Sequence, residues 1–503
     1  MRHDTMSQFV PRTAALTSPR TARRPARVES RTVSVVHSLL VALAILALGV
    51  AVTVANAATR TSGDGAAQLP IVFVHGQSGS AQQFETQAMR FTSNGYPQSL
   101  LYAFEYDTSS PLNPLADLDV FIDAVRAATG AERVYAVGHS RGTTVLTTYL
   151  DDASFDGPTK VAKYVNIDGR TLAGLPGGVP TIGIWGEWNT ADSGYNRRGN
   201  TNAQIGPDPA DNFYFGTKSH TETATSAEAF AVMYEFLTGH VPDTTDVVPE
   251  PPGQVTVAGR AVIFPANVGY PGATVEVWRV DRANGHRIGS GPQATFAIDA
   301  SGDFGPLKLN GLKHYEMAVV RPGNPQTIHH FYFEPFSRSD HFVRLNTSLP
   351  NQGLEAFVPS DAGRTNLVIT RQREFWGDQG SASDELRIDG LNIALPNTSP
   401  RTGVNLAVFA HDDGLDGATD LDKGELFPFN LLTFLTAVDV ATPASPDGSG
   451  SVVVTDNPRG SGNVTTVNVP NWPSDRHRIT VQFRDDDQDV ERFTDPALGP
   501  RGR

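Results

Sequence analysis

The stretch from Val134 to Thr143 constrains the fold of this 503-residue chain more than any other. An apolar run, Val-Tyr-Ala-Val, leads into Gly-His-Ser-Arg-Gly, and sequence compatible with a helix follows. Gly-x-Ser-x-Gly between a strand and a helix is the pattern of a nucleophile elbow, in which a sharp turn lifts a serine hydroxyl off the end of a sheet. Gly138 and Gly142 leave room where side chains would collide with neighbouring elements. The pattern predicts a strand-turn-helix unit that presents Ser140 as a nucleophile.

Residues 70–239 alternate short apolar runs with helical or loop sequence. Apolar residues at helical spacing between Leu115 and Val125 predict one helix, and Ala227–Leu237 predicts a closing helix. Strands separated by helices indicate a small α/β domain with a mostly parallel sheet covered on both faces, over residues 68–241. The six predicted strands are Ile71–Val74, Ser99–Phe104, Val134–Val137, Val161–Ile167, Thr181–Trp185 and Asn212–Phe215.

Composition changes at residues 242–252, where a Pro-rich run from Val247 to Pro252 predicts a stiff linker. Beyond this linker, short β-rich runs recur between Gly, Asn, Asp and Pro turns, a pattern typical of β-sandwiches and barrels. We predict two such β modules, over residues 253–348 and 349–495. The predicted strands are Val255–Phe264, Thr274–Val280, Thr295–Ile298, Tyr315–Val320, His329–Phe333, His341–Leu345, Leu367–Thr370, Val404–Phe409, Ser451–Val454 and Ile479–Phe483.

The N-terminus has the composition of a secretory signal peptide. The first 31 residues carry seven arginines and two acidic residues, and an apolar run from Val33 to Val54 follows. Ala55-Asn56-Ala57 then supplies a small-residue cleavage site, so we predict export and removal of residues 1–57. The alternative is an uncleaved membrane anchor, since the apolar run is long enough to span a bilayer. No later segment of the sequence is apolar and long enough to do so.

Charge and composition exclude several classes of function. Cleavage would remove seven of the 40 basic and two of the 54 acidic residues, leaving 33 against 52 and a net charge of −19. A protein this acidic is a poor candidate for binding nucleic acid. The absence of cysteine excludes thiol catalysis and Cys-ligated metals, and we predict no cofactor and no metal. Calcium at the acidic loop Asp412–Asp422 stays an alternative, although Gly414 and Lys423 break the EF-hand pattern.

A serine nucleophile needs a base, and the base needs an acid that orients it. His220 is the best-placed base, because it follows the last predicted strand of the α/β domain and precedes the closing helix. The other histidines of this domain fit less well. His75 precedes a turn glycine, His139 lies inside the elbow, and His240 lies beyond the closing helix.

Two aspartates satisfy the chain order of serine, acid and histidine. Asp168 ends the strand that follows the elbow strand in sequence, and Asp192 lies in the loop after the next strand. Spacing alone does not decide between them.

The oxyanion that forms during acyl transfer needs two backbone N–H donors. One is the residue after the nucleophile, Arg141. The other is expected in a loop after an early strand, and the run Ile71–Val74 leads into His75-Gly76-Gln77, which makes Gln77 the candidate. Gln77 precedes Ser140 by 63 residues, a separation that argues against a plain hairpin loop.

Six segments carry a family resemblance: Phe73-Val74-His75-Gly76, Phe91-Thr92-Ser93-Asn94-Gly95-Tyr96-Pro97, Phe104-Glu105-Tyr106-Asp107-Thr108, Gly138-His139-Ser140, Ile167-Asp168-Gly169 and Ala229-Phe230-Ala231-Val232-Met233-Tyr234-Glu235-Phe236. Together they resemble secreted and archaeal triacylglycerol lipases, over about residues 70–346. The resemblance implies a small α/β-hydrolase domain followed by a C-terminal β-barrel domain that helps bind long acyl chains. It also implies Ser140 as nucleophile, His220 as base and Asp168 as acid, with Gln77 and Arg141 as oxyanion donors.

Two features depart from those lipases. They insert a long helical lid before the elbow strand, whereas Thr108 to Arg133 spans only 26 residues, enough for a loop and one helix. We therefore expect a more open, esterase-like site. Arg141 stands where a neutral residue is usual, and a cation at the pocket rim predicts a preference for polar or anionic acyl groups.

These features predict an exported serine hydrolase that cleaves carboxylic esters, a triacylglycerol lipase or carboxylesterase acting on lipophilic esters through an acyl-enzyme. The β modules are then candidates for contact with a lipid surface. Within enzymes, the alternative is a polyester depolymerase or cutinase-like esterase whose β modules dock on an insoluble polymer. The non-enzyme alternative is a surface- or carbohydrate-binding protein with a vestigial hydrolase domain, which the intact Ser, Asp and His set disfavours.

Overall fold

The computed structural model describes residues 68–323, 327–349 and 351–485. The predicted signal peptide at residues 1–57 lies outside these ranges. Within them, no helix combines the length and the hydropathy that crossing a bilayer requires.

Residues 68–241 form a six-stranded sheet with helices on both faces. The strands are β1 (Ile71–Val74), β2 (Leu101–Phe104), β3 (Val134–His139), β4 (Val161–Ile167), β5 (Thr181–Trp185) and β6 (Asn212–Tyr214). The helices are α1 (Glu85–Ser93), α2 (Leu115–Thr129), α3 (Arg141–Asp151), α4 (Gly157–Lys160), α5 (Glu222–Thr225) and α6 (Ala227–Thr238). The predicted α/β fold and its six strands are confirmed, with shifts of at most two residues at strand ends.

The strand order is β2-β1-β3-β4-β5-β6, and every neighbouring pair is parallel. The chain leaves β1 towards β2 and then returns across β1 to β3, so the direction of winding reverses between β1 and β3. Open parallel sheets hold their sites beyond the carboxyl ends of the strands at such a reversal. The loop after β1 and the elbow after β3 lie side by side at this edge, where a Cβ on Gly76 would be 3.1 Å from the Cβ of Ser140.

Side chains on the two faces of this sheet pack into separate cores, because successive residues of a strand point to opposite faces. On β1, Ile71 and Phe73 join α1 and α6 in one core, and Val72 and Val74 join α2 and α3 in the other. All four side chains are fully buried, as expected for a parallel strand covered on both faces. Each covering helix therefore needs one apolar stripe towards the sheet, which is the helical spacing found in the sequence.

The described residues beyond 252 form sixteen strands in three sheets. The strands are β7 (Thr256–Ile263), β8 (Val268–Gly269), β9 (Thr274–Val280), β10 (Ala294–Ala297), β11 (Asp303–Lys308), β12 (His314–Val320), β13 (Ile328–Phe333), β14 (Asp340–Thr347), β15 (Leu367–Thr370), β16 (Glu385–Ile388), β17 (Leu391–Asn392), β18 (Ala407–His411), β19 (Leu435–Asp439), β20 (Ser451–Asn457), β21 (Thr465–Pro470) and β22 (His477–Gln482).

Two β-sandwiches share one eight-stranded sheet, ordered β10-β9-β12-β13-β22-β15-β18-β19. The first half packs against β11-β7-β14, and the second half packs against β17-β16-β20-β21. The halves meet where β13 pairs in parallel with β22, with Ile328 opposite His477. We call residues 253–349 the first β region and residues 351–485 the second β region. The prediction of β-sandwich modules is confirmed, and β22, the last strand of the described residues, connects the two halves of the shared sheet.

Prolines and one positive φ explain some of the differences between the predicted and observed strands in these regions. Six strands were not predicted: β8, β11, β16, β17, β19 and β21. Prolines account for two of them, because Pro306 interrupts β11 and Pro470 ends β21. The pairing of β11 with β7 shifts register between Phe304 and Leu307, on either side of that proline. Strand β18 begins three residues later than predicted, because Val404 has a φ of 58°, in the left-handed region that strands do not use.

Candidate active site

Ser140 lies in a strained turn between β3 and α3. Its φ of 51° and ψ of −117° form a conformation that a residue with a side chain adopts only where the surrounding structure imposes it. A Cβ on Gly142 would lie 2.1 Å from the carbonyl oxygen of Val74, and one on Gly138 would lie 2.8 Å from Cδ1 of Leu146. The prediction that close approach requires both glycines is confirmed.

The structure brings Ser140, His220 and Asp168 together at the carboxyl edge of the sheet. Oγ of Ser140 lies 2.9 Å from Nε2 of His220, and Nδ1 of His220 bonds to Oδ2 of Asp168. Separate strands position the three, since Ser140 follows β3, Asp168 follows β4 and His220 lies in the loop after β6. Asp168 and His220 are fully buried, whereas Ser140 is half-buried, so the serine is the most accessible of the three.

Asp168 is held by the loop after β5. Its Oδ1 accepts a hydrogen bond from the backbone N–H of Gly186 at 2.9 Å and another from Nδ2 of Asn189 at 2.7 Å. Burial by itself would raise the pKa of Asp168, but the hydrogen bonds from His220, Asn189 and Gly186 hold that pKa below its usual value. Asp168 is therefore ionised next to His220.

Asp192 and the remaining histidines lie apart from this arrangement. Asp192 is exposed, and within the described residues its side chain makes no hydrogen bond or ion pair. His240 is exposed at the end of α6. His75 is buried and stacks on Tyr106 with 4.5 Å between ring centroids, and burial lowers the pKa of His75 to about 4. Of these groups, the fold brings none into hydrogen-bond contact with Ser140 in the part of the chain that the structure describes.

Aromatic rings surround His220. Trp188 stacks on it, with 3.8 Å between ring centroids and planes 6° apart, and the His139 ring lies 4.6 Å away. Phe434, from the second β region, lies 6.3 Å from the His220 ring. The carbonyl oxygen of His220 accepts a hydrogen bond from Oγ1 of Thr223 at 2.7 Å. These contacts fix the imidazole in the orientation that reaches both Ser140 and Asp168.

Sequence reasoning missed a hydrogen-bond chain that links the loop after β1 to His220. The backbone N–H of Gly76 donates to Oε1 of Gln83 at 3.0 Å, and Nε2 of Gln83 donates to Nδ1 of His139 at 2.7 Å. Nε2 of His139 lies 2.8 Å from the carbonyl oxygen of His220 and must carry the proton, because a carbonyl only accepts. Burial and the nearby His220 lower the pKa of His139 to about 3, so its ring is neutral. The sequence signal for His139 was its place in the elbow, and Gln83 gave none.

The two predicted oxyanion residues lie beside Ser140 and contact each other. The backbone amide of Arg141 is at the first position of α3, where helix N–H groups have no acceptor within the helix. Gln77 follows Gly76, which packs against Ser140. Nη1 of Arg141 donates to Oε1 of Gln77 at 2.7 Å, so side-chain contact ties the elbow to the loop after β1.

The Arg141 guanidinium holds a loop in place. It donates to the carbonyl oxygens of Thr108 at 2.9 Å, Ser110 at 2.6 Å and Leu112 at 3.1 Å, in addition to Gln77. The expected preference for anionic acyl groups relied on a cation free to meet substrate. These four acceptors engage its donors instead, so the structure gives that expectation no support.

The segment from Thr108 to Arg133, all of it described, contains one helix. This helix, α2, packs Leu118, Ile122 and Val125 into the core beneath the sheet. The prediction of a loop and one helix is confirmed. Because α2 is committed to the core, this segment does not supply a helical cover for Ser140.

Two basic side chains contact the acidic loop at Asp412–Asp422. Asp412 accepts a hydrogen bond from Nε of Arg364 at 2.6 Å, and Nζ of Lys423 lies 3.5 Å from Oδ2 of Asp413. Among residues 68–323, 327–349 and 351–485, no group of three or more His, Cys, Asp or Glu side chains is arranged to hold a metal ion. Within the loop, aspartate oxygens also accept hydrogen bonds from backbone N–H groups, as Asp412 does from Gly417 at 2.8 Å.

Family models match three parts of the chain. Residues 68–155 match Lipase (class 2), and residues 253–350 match the Lipase C-terminal domain. A third model, described as that of a C-terminal domain, matches residues 353–487. The resemblance to lipases with a C-terminal domain is thereby confirmed. The first match includes Gln77 and Ser140 and ends before Asp168 and His220.

Among solved structures, a gene product of Listeria innocua is 15% identical, with 36% of this chain and 97% of that chain covered and a TM-score of 0.27. The mature lipase BlEst2 of Bacillus licheniformis is 15% identical, with 36% and 96% covered and a TM-score of 0.28. Aspergillus fumigatus lipase B is also 15% identical, with 35% of this chain and 54% of that chain covered and a TM-score of 0.26.

Proposed function

We propose that this carboxylic ester hydrolase, whose segments match a class 2 lipase and a lipase C-terminal domain, is an exported enzyme that cleaves lipophilic esters. Its proposed catalytic triad is Ser140, His220 and Asp168. The observation that carries the proposal is the unbroken hydrogen-bond chain from the Ser140 hydroxyl through His220 to Asp168. Export rests on the N-terminal sequence pattern alone.

In the proposed mechanism, Oγ of Ser140 attacks the ester carbonyl while Nε2 of His220 takes its proton. The 2.9 Å separation of these atoms supports this transfer. Ionised Asp168 stabilises the imidazolium that forms and keeps Nδ1 of His220 as a donor. His220 then returns the proton to the departing alcohol, leaving an acyl-enzyme on Ser140. Water activated by His220 hydrolyses that intermediate and restores the serine.

Negative charge develops on the carbonyl oxygen during each addition step. We assign the backbone N–H groups of Gln77 and Arg141 to this oxygen. Support comes from the orphan position of the Arg141 amide at the start of α3 and from the packing of Gly76 against Ser140. Removing one such donor typically lowers kcat about 100- to 1,000-fold. The loop after β1, which carries Gln77, is therefore part of the proposed machinery.

Apolar surface near the serine supports a lipophilic substrate. Leu112, whose carbonyl is bound by Arg141, has a side chain that is 75% exposed. Phe427 and Leu431 are 71% and 73% exposed, in the segment that leads to Phe434 beside His220. Exposed apolar side chains on segments that contact the candidate triad and Arg141 are suited to an apolar ligand or a lipid layer. Acylglycerols and other lipophilic esters are therefore the proposed substrate class.

Loss of the nucleophile gives the first test. Ser140→Ala should lower turnover of a p-nitrophenyl ester by at least about 1,000-fold, because the residual rate comes from binding and the oxyanion donors alone. Circular dichroism of this variant should match that of the wild-type protein.

The two aspartate variants give the second test. Asp168→Asn should lower turnover about 10,000-fold, and Asp192→Asn should leave it within about twofold of wild type. A folded Ser140→Ala variant with full turnover would reject the mechanism, and the opposite order of the two aspartate variants would reject Asp168 as the acid.

A further inference from the structure

We infer that Glu374, in the second β region, is a positioning residue for His220, so that residues 351–485 complete the active site. The inference rests on the proposed function, since it concerns the base proposed there. It assigns to this region a role in catalysis itself, beyond any contact with a lipid surface.

Glu374 binds the chain on both sides of His220. Its Oε1 accepts the backbone N–H of Thr221 at 2.9 Å, and its Oε2 accepts the hydroxyl of Ser219. Each of these four residues is at most 2% exposed. One buried carboxylate therefore fixes both chain neighbours of His220.

Glu374 is itself held rigidly. Its backbone carbonyl oxygen accepts hydrogen bonds from Nη2 of Arg371 at 2.9 Å and from Nη2 of Arg459 at 3.0 Å. Arg371 is fully buried and pairs with Asp384 at 2.8 Å and with Asp456 at 2.9 Å. The carboxylate that meets the His220 loop is thus anchored in the interior of the second β region.

A second contact ties the loop that holds Asp168 to the same region. Glu187, in that loop, accepts a hydrogen bond from Nε of Arg401 at 2.9 Å. Its backbone N–H donates to the carbonyl oxygen of Lys218 at 2.9 Å, which joins this loop to the His220 loop. The loops that orient the acid and the base therefore meet the second β region as one unit.

Position matters here because proton transfer depends on the 2.9 Å contact between Ser140 and His220. A displacement of about 1 Å in a catalytic group can cost about 100-fold in rate. Without the Glu374 carboxylate, the N–H of Thr221 loses its buried acceptor, and the loop must move to find another. A residue that only joined two parts of the chain would affect stability and leave kcat unchanged.

The test compares Glu374→Ala with Glu374→Gln in the full chain, on a short soluble p-nitrophenyl ester. A glutamine can still accept from Thr221 through its oxygen and donate to Ser219 through its nitrogen. We expect Glu374→Ala to lower kcat about 10- to 100-fold with KM within about twofold, and Glu374→Gln to stay within about threefold of wild type. Labelling of Ser140 by a fluorophosphonate should slow in parallel with kcat, because it needs the same base.

Arg338→Ala is the matched control. Arg338 also joins a β region to the rest of the chain, donating to Oγ1 of Thr92 at 2.7 Å and to the carbonyl oxygen of Val248 at 2.7 Å. Neither partner belongs to the loops that carry the triad. This variant should lower the thermal midpoint of unfolding and leave kcat at the wild-type value.

A folded Glu374→Ala variant with wild-type kcat would overturn the inference, and so would a Glu374→Gln variant as impaired as Glu374→Ala. If Glu374→Ala does not fold, Glu374→Asp replaces it, since its carboxylate is one methylene too short to reach both partners. Full kcat in that variant would also overturn the inference. A wild-type chain that neither hydrolyses the ester nor reacts with the fluorophosphonate would overturn the proposed function and this inference together.

Discussion

The two β regions contact opposite sides of the candidate site. The first β region meets the loops after β1 and β2, where Glu105 pairs with Arg260 at 2.7 Å and with Arg344 at 2.7 Å. Asn267 of the same region donates to the carbonyl oxygen of Gly79 at 3.0 Å. The second β region meets the loops that carry Asp168 and His220, and its end also reaches the segment after β1, where Nε2 of Gln82 donates to Oε1 of Gln482 at 3.0 Å. The buried ion pairs on the side of the proposed oxyanion donors thus come from the first region, and the contacts to the loops of the proposed acid and base come from the second.

The contrast shows how a small α/β domain organises its loops. It has no long insertion before the elbow to cover or brace them. Parts of the chain far away in sequence supply that support, through buried charged groups on both sides. Removing a β region would therefore affect the α/β domain itself.

Ion pairs of two buried carboxylates join the α/β domain to the β regions: Glu105 forms the first joint, to the first β region, and Glu187 forms the second joint, to the second β region. The two joints differ in how fully the arginines offset the burial of the carboxylate. At Glu105, burial favours a higher pKa, but Arg344 and Arg260 outweigh it and hold the pKa far below its usual value. At Glu187, burial prevails over the single partner Arg401 and raises the pKa to about 7. The first joint therefore keeps its charge across the neutral range, and the second titrates within it.

The largest loss of stability is expected from Glu105→Ala. It leaves two arginines at the joint without their carboxylate, and breaking a buried ion pair from one side costs about 3–5 kcal/mol. Urea unfolding followed by tryptophan fluorescence measures the loss. Glu385→Ala serves as the control, because its ion pair with Arg387 is 45% and 39% exposed, and exposed pairs contribute at most about 1 kcal/mol. Equal effects of the two variants would contradict the special status of the Glu105 joint.

An intermediate effect is expected from Glu187→Gln, seen in the pH dependence of stability. The pKa of Glu187 is higher in the folded protein than the usual 4.5, so its contribution to stability is present below pH 4.5 and lost as pH rises towards 7. Arg401, Glu374 and Glu222 face this carboxyl. Glu187→Gln should remove up to about 3 kcal/mol of the decline between pH 4.5 and pH 8.

Thermal midpoints of unfolding at several pH values measure this slope, the decline in stability between pH 4.5 and pH 8. Glu105→Gln should leave the slope between pH 4.5 and pH 8 unchanged, because Glu105 is ionised throughout. A slope that responds to Glu105→Gln and not to Glu187→Gln would reverse the electrostatic contrast between the joints.

The smallest loss of stability is expected from Asn267→Ala. Asn267 has a φ of 55° and donates to the carbonyl oxygens of Gly79 and Tyr106, so its loss should cost about 1–2 kcal/mol. Asn267→Gly tolerates the backbone conformation and isolates the contribution of the side chain. Thermal unfolding and kcat are measured for both. A larger fall in kcat here than in Glu374→Ala would show that the first β region, and not the second, governs the base.

The sequence by itself determined the features encoded among neighbouring residues. The glycines around Ser140 identify the elbow, because the turn leaves no room for side chains there. Strands β1, β4 and β5 begin and end as predicted, since continuous apolar runs are typical of a parallel sheet covered on both faces. The order of serine, aspartate and histidine along the chain also selected a short set of candidates.

Only the tertiary structure decided which of these residues meet. Spacing admitted both Asp168 and Asp192, and the order of strands in the sheet places Asp168 against His220 and leaves Asp192 exposed. Gln83, Glu374 and the sheet shared by both β regions gave no signal in the sequence. Their partners lie far away along the chain, so packing selects them, and no local periodicity records that choice.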